Sequence, residues 1–120
     1  MASSNKFIFT DLDIDGCMSY LLFLWFNKGK RIPYIAVNVS SFKSSFESWL
    51  RVSNPDRFDN IYILDIDTSQ ESLDLVDRSN VVIIDHHDTH VANKDRYKRC
   101  KSFISHRPSC CRHIYELLAK

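Results

Sequence analysis

The amino-acid sequence predicts an α/β protein, a single domain over residues 1–120 with a mostly parallel sheet and helices on both faces. Two observations point there. Short runs of β-branched and aromatic residues alternate with helix-like stretches, the pattern of βαβ units. Acids or imidazoles follow three of the strand-like runs, and a parallel sheet would gather those carboxyl ends along one edge, where open α/β folds bind ligands.

Taken in order, Phe7–Phe9 reads as the first strand. A helix is predicted from Gly16 to Lys28, a stretch without proline, and it ends near Gly29. Tyr34–Val39 is a second strand. Ser41–Val52 is a second helix with Phe42, Phe46, Trp49 and Leu50 on one face. Ile61–Leu64 is a third strand, Gln70–Arg78 a short helix and Val81–Ile84 a fourth strand. Phe103–Ile104 begins a fifth strand, and Cys110–Ala119 reads as helix.

The totals fit that reading. A chain of 120 residues, 44% hydrophobic and 26% charged, has the composition of a globular domain rather than a disordered one. Net charge is +1, so the sum says nothing about nucleic acid or membranes, but its distribution is uneven. Residues 94–120 hold eight Lys/Arg against Asp95 and Glu116, a net of +6, which leaves −5 for the residues before them. An acidic body with a basic segment could bring metal and phosphate together. Cys110 and Cys111 are neighbours, an awkward arrangement for a disulfide framework, and no secretory signal is evident. A reducing cytoplasm is expected. The longest apolar run, Tyr20–Phe26, is far too short to cross a bilayer, so no membrane partner is expected.

Chemistry concentrates at three strand ends. FIFTDLDID delivers Asp11, Asp13 and Asp15; IYILDID delivers Asp65 and Asp67; VVIIDHH delivers Asp85, His86 and His87. A lone Asp after a strand is ordinarily a turn former or helix cap, and adjacent histidines are ordinarily a solvated loop. Three such clusters in register outweigh those readings. Gathered carboxylates repel one another and are costly to desolvate, so they need cations. Oxygen ligands with one or two imidazoles suit Mn²⁺ or Mg²⁺, whereas a structural zinc site would favour thiolates. Cys100, His106, Cys110, Cys111 and His113 are a weaker, zinc-type alternative.

DLDIDG also opens like an EF-hand loop, but the twelfth position is Leu22 instead of Glu, and a strand precedes it where a helix belongs. DIDGC resembles the D-x-D-G-T loop of haloacid-dehalogenase-like phosphatases, with Cys17 in place of Thr; that family offers no reason for the later DHH.

DLDIDG, LDID and DHH in this order resemble the DHH phosphoesterase superfamily, and the D-x-D-x-D-G form is closest to its RecJ-like branch. Other branches place a histidine upstream of the paired acids, where this chain has Phe9 and Thr10. SCCRHIYELL, residues 109–118, resembles the family's fourth motif, a small-residue turn leading into an apolar helix. The resemblance covers nearly the whole chain and implies a Rossmann-like DHH domain. It implies a metal-ligand set of Asp11, Asp13, Asp15, Asp65, Asp85 and His86 for Mn²⁺ (or Mg²⁺), two ions. It makes His87, with Asp85, catalytic, and turns His87 toward substrate phosphate. Arg107 and Arg112, from the basic segment, are expected to assist there.

The expected function is metal-dependent hydrolysis of phosphodiesters, with single-stranded nucleic acid or short oligonucleotides as partner. The rival is a module that keeps the fold and binds metal or phosphate without turnover. Members of the family continue past the fourth motif with another aspartate ligand and a smaller domain that closes over substrate. The 120 residues are therefore expected to be an incomplete portion of such a protein, with weak or no turnover of their own.

Overall fold

The computed structural model describes residues 5–119. Five strands form one sheet: β1 (Lys6–Thr10), β2 (Tyr34–Ala36), β3 (Asn60–Leu64), β4 (Val81–Asp85) and β5 (Lys101–Ile104). Their order is β2-β1-β3-β4-β5, and every pairing is parallel. The connections carry α1 (Ile14–Phe26), α2 (Val39–Val52), α3 (Leu73–Val76) and α4 (Asp88–Asn93), and α5 (Cys110–Leu118) follows β5.

Alternation along the strands sorts the core into two layers. Phe7, Phe9, Ile61, Ile63, Val81 and Ile83 pack with Phe42, Phe46 and Trp49 of α2. Ile8, Leu64, Val82 and Ile84 pack on the other face with Phe23 of α1 and with Cys110 and Ile114 of α5. The helices therefore cover both faces, as expected. Spacing of Phe42, Phe46 and Trp49 at i, i+4 and i+7 makes α2 amphipathic, and all three are buried. Phe9 meets the Phe42, Phe46 and Trp49 rings edge-on at 5.7, 5.1 and 5.2 Å. Each such fully buried side chain contributes about 1.5–3 kcal/mol.

Topology positions the site. From β1 the chain crosses to β2 on one side, then returns past β1 to β3 on the other, so the loops after β1 and β3 diverge. This is the switch point at which open α/β sheets bind ligands. Pairing of Thr10 with Leu64 and of Leu64 with Ile84 brings the three strand ends level. The ladder runs one residue further: the Asp11 N–H donates to Leu64 O at 3.3 Å and the Asp65 N–H to Ile84 O at 3.0 Å.

Three local expectations change. The second strand stops at Ala36, because Asn38 becomes the N-cap of α2 and Val39 its first residue. The helix expected over Gln70–Arg78 shrinks to Leu73–Val76. Asp67 draws Ser69 into a turn ahead of it, and at its other end the Asp77 carboxylate is taken by the backbone N–H groups of Lys98, Arg99 and Cys100 at 2.9, 2.8 and 2.9 Å. The third change is α4, which forms where no element was expected.

The Asp77 clamp carries a prediction. Burial alone would raise its pKa, but the donors from Cys100, Lys98 and Arg99 prevail and hold the carboxyl below its ordinary range. A depressed carboxyl stabilises the fold above the unfolded-state pKa and loses that contribution as pH falls through the folded value. Asp77→Ala should cost about 1–3 kcal/mol at neutral pH. In urea unfolding the gap should narrow below about pH 4; a gap that stays constant into acid would contradict the clamp.

Among the described residues, no helix is long and apolar enough to cross a membrane.

Candidate metal centre

Beyond β1 the chain turns sharply into α1. Asp13 is the N-cap, and its Oδ1 accepts from the Gly16 N–H at 2.7 Å. The Thr10 hydroxyl donates to Gly16 O at 2.7 Å and ties the strand end to the first helical turn. Gly16 is required by proximity, since a Cβ there would stand 2.1 Å from the Asp11 carbonyl oxygen. Gly16→Ala should therefore destabilise the fold by about 1–3 kcal/mol or more and displace Asp11 and Asp13. Urea unfolding reads the first effect, and weakened Mn²⁺ binding reads the second; a neutral Gly16→Ala would refute the close approach.

Asp65 follows β3 in the left-handed region, at φ 63°. Asp and Asn tolerate that conformation better than most residues, yet it still costs on the order of 1 kcal/mol. It turns the carboxylate into the cluster, where the residue is 1% exposed. Oδ1 accepts from His86 Nε2 at 3.1 Å, while Oδ2 is buried with no partner among the described residues. Burial, then the Asp15 and Asp13 carboxylates, push the Asp65 pKa up to about 10. His86 Nε2 also lies 3.2 Å from Asp15 Oδ2, so a single imidazole bridges the first turn of α1 and the residue that follows β3. Asp11 is raised as well, by burial and then by Asp13.

Asp85 ends β4 with no exposure, and an imidazole engages each of its oxygens. His87 Nδ1 donates to Oδ1 at 2.7 Å and His90 Nδ1 to Oδ2 at 2.6 Å. Burial alone would raise the Asp85 pKa; the hydrogen bonds from His87 and His90 prevail and hold it far below the carboxylate range. In return, the hydrogen bond to Asp85 raises His87. Behind this pair, His90 Nε2 meets the Tyr97 hydroxyl at 2.6 Å, and Tyr97 meets Thr68 Oγ1 at 2.6 Å. With Nδ1–H given to Asp85, Nε2 of His90 accepts from Tyr97, which in turn accepts from Thr68. The chain of bonds fixes Asp85 and, through it, the ring of His87.

Two sets of ligand atoms lie together among the described residues, each within 4.8 Å: Asp65, Asp85, His86 and His87, and Asp11, Asp13 and Asp65. Asp65 belongs to both. Carboxylate oxygens and imidazole nitrogens, one buried oxygen without a partner and no thiolate form a donor set that fits hard divalent ions such as Mn²⁺ or Mg²⁺.

Comparison with family models, with curated proteins and with solved structures returns no match to the chain.

The structure brings together Asp11, Asp13, Asp65, Asp85, His86 and His87 from the expected residues. Asp15 touches the cluster through His86 but is largely occupied elsewhere, accepting from the N–H groups of Cys110 and Cys111 at 2.9 and 3.0 Å. That places its charge at the amino end of α5, where the helix dipole favours it. Ser109 caps the same helix, accepting from the Arg112 N–H at 3.0 Å. Arg107 and Arg112 both engage Glu116, and neither forms an ion pair or hydrogen bond with the Asp/His cluster among the described residues. The thiol-and-imidazole alternative does not assemble. Cys110 donates to Ile84 O, His113 Nε2 faces Phe103 O, and no cysteine enters either ligand set.

Sequence reasoning undervalued His90 and missed Thr68 and Tyr97. A usable signal was DHHDTH itself: Asp88 at a helix start makes the next turn swing His90 back over Asp85. Asp67 proves to be scaffold, accepting from the Ser69 N–H and hydroxyl at 2.9 and 2.6 Å and from Thr89 Oγ1.

Proposed function

We propose that the chain is a metal-dependent phosphoesterase domain that acts on phosphodiesters in single-stranded nucleic acid or short oligonucleotides. The observation that carries this reading is Asp65, buried, raised in pKa and common to two sets of ligand atoms at the sheet's switch point. The motif order DLDIDG, LDID, DHH supports the same reading through its resemblance to the DHH phosphoesterases. Asp65, Asp85 and His86 would hold one divalent ion, and Asp11, Asp13 and Asp65 a second. Such ions supply positive charge for phosphoryl oxygens and make water a competent nucleophile at neutral pH.

The protein's own groups have separate tasks. Asp85 orients His87 by accepting its Nδ1–H, and the raised pKa of His87 favours the imidazolium, a donor for a phosphate oxygen. The Cys100 and Cys110 thiols are poor nucleophiles, since burial pushes Cys100 up to about 12 and Cys110 well above its ordinary value. The net positive segment from residue 94 onward supports a polyanionic substrate. All four cysteines are unpaired, which supports a reducing compartment such as the cytoplasm.

The test is Mn²⁺-dependent release of mononucleotides from end-labelled single strands, comparing the parent with Asp65→Ala. Release by the parent and its loss in the variant are expected. Equal release from both overturns the site. No release from DNA, RNA, cyclic dinucleotides or pyrophosphate, alongside intact Mn²⁺ binding, would make the protein a binding module instead.

A further inference from the structure

The opposite edge of the sheet holds a concentration of charge of the other sign. Lys6 opens β1, Asn27, Lys28 and Gly29 close α1, and Lys30 to Pro33 lead into β2. Together they wall a cavity of about 480 Å³, lined by Asn5, Lys6, Asn27, Lys28, Lys30 and Arg31, with Ile32 and Pro33 completing it. Four of its lining residues are cationic and none is acidic. Among the described residues none of the four forms an ion pair. Asp59, which accepts from the Asn5 N–H at 3.0 Å, is not part of the lining.

The arrangement is partly built in. Lys6 Nζ is held by Asn27 Oδ1 at 2.8 Å, and Asn27 is itself anchored by donating Nδ2–H to Phe23 O at 2.9 Å. Lys28 and Gly29 are both left-handed, at φ 61° and 70°. Glycine adopts that conformation freely; lysine does so at a cost on the order of 1 kcal/mol. The turn they make reverses the chain and sets Lys28, Lys30 and Arg31 around one hollow. Compensation of the α1 dipole accounts for a cation or two near a helix C-terminus. It does not account for Lys6, which comes from another element, or for the lack of any acid in the wall.

We propose that this hollow binds closely spaced phosphates, at a site separate from the Asp/His cluster. Four cations exceed what a monoanion needs, and their mutual repulsion is relieved by a multiply charged ligand. The volume falls in the range of small-ligand sites, about 300–1,000 Å³. A short polyphosphate and a few residues of nucleic-acid backbone present the same chemistry. The inference does not rest on the phosphoesterase reading, because Lys6 begins the strand whose far end carries Asp11.

Metal-stripped protein, with the chelator removed, would be titrated with tripolyphosphate and with single-stranded oligothymidylates of increasing length, followed by amide chemical shifts. Shifts centred on Lys6 and on Lys28 to Ile32 are expected. Affinity should fall by about tenfold or more when salt is raised fourfold or when Lys28, Lys30 and Arg31 are together changed to Gln. These side chains are exposed, so the triple variant should fold, and its Mn²⁺ titration should match the parent. Affinity that grows with oligonucleotide length identifies a strand as the ligand; tighter tripolyphosphate binding identifies a small polyphosphate. Shifts located elsewhere, equal affinity in the triple variant, or no saturation by either probe would overturn the site. Mn²⁺ binding lost in the parent itself would count against the metal centre and leave this result readable.

Discussion

Asp65→Asn is expected to abolish tight Mn²⁺ binding while making the metal-free protein more stable. In the metal-free cluster the Asp65 carboxyl is buried beside Asp15 and Asp13, with one oxygen unpartnered. Its folded pKa lies above the unfolded value, so the folded state binds the extra proton. The stability available in acid is therefore lost as pH rises from about 4 toward the folded value. Asn removes that titration and adopts the left-handed conformation at least as readily as Asp. A gain of about 1–3 kcal/mol near pH 7 should follow in urea unfolding, shrinking toward pH 4. With metal present the sign reverses. The variant lacks the carboxylate common to both ligand sets, so its Mn²⁺ affinity and any turnover should fall by orders of magnitude, about 10³ or more in rate. A metal-free variant less stable than the parent, or one that titrates Mn²⁺ equally well, would falsify the central role of Asp65.

The second large effect belongs to Asp85→Ala, and it is structural. His90 is fully buried and directs Nδ1–H at Asp85, while His87 does the same from the other side. Deleting the acceptor leaves a buried donor without a partner and removes the anion that balances His87. Loss of one member of such a pair costs about 3–5 kcal/mol. The expected result is a lower urea midpoint with an unchanged slope. His90→Ala should show a smaller loss, because Asp85 keeps one imidazole. Asp85→Ala within 1 kcal/mol of the parent would mean that the pair is open to water.

Much of this architecture was legible in the chain itself. VVII is a β-branched run and IYIL a short apolar one, neither with room for a helical face, and Phe42, Phe46 and Trp49 recur at helical spacing, so β4, β3 and α2 followed from pattern alone. The level strand ends followed from one feature, acids placed after each apolar run. What sequence could not show depends on tertiary partners. The residues from Asp88 to Asn93 have little helical preference; α4 is set by His90 reaching back to Asp85 and by Asn93 donating to Thr89 O. Asp15 was grouped with Asp13 because only Ile14 separates them. Only the docking of α5, brought back over α1, offers it the Cys110 and Cys111 N–H groups. Arg107 and Arg112 were placed by charge, whereas their contacts depend on Glu116 one helical turn beyond Arg112.

An all-parallel sheet also shapes how the chain reaches this state. Every strand pairing joins segments separated by a crossover, so no two strands can meet as a simple hairpin. Such non-local closure slows folding relative to helical proteins of similar size. During synthesis β1 must wait for β2 and β3, and Asp65 joins Asp11 on one side and His86 on the other only after most of the chain has emerged. The helices can form early; the ligand cluster cannot. Mn²⁺ uptake should therefore lag behind the helical signal in refolding, making the ion a reporter of the last long-range contacts to close.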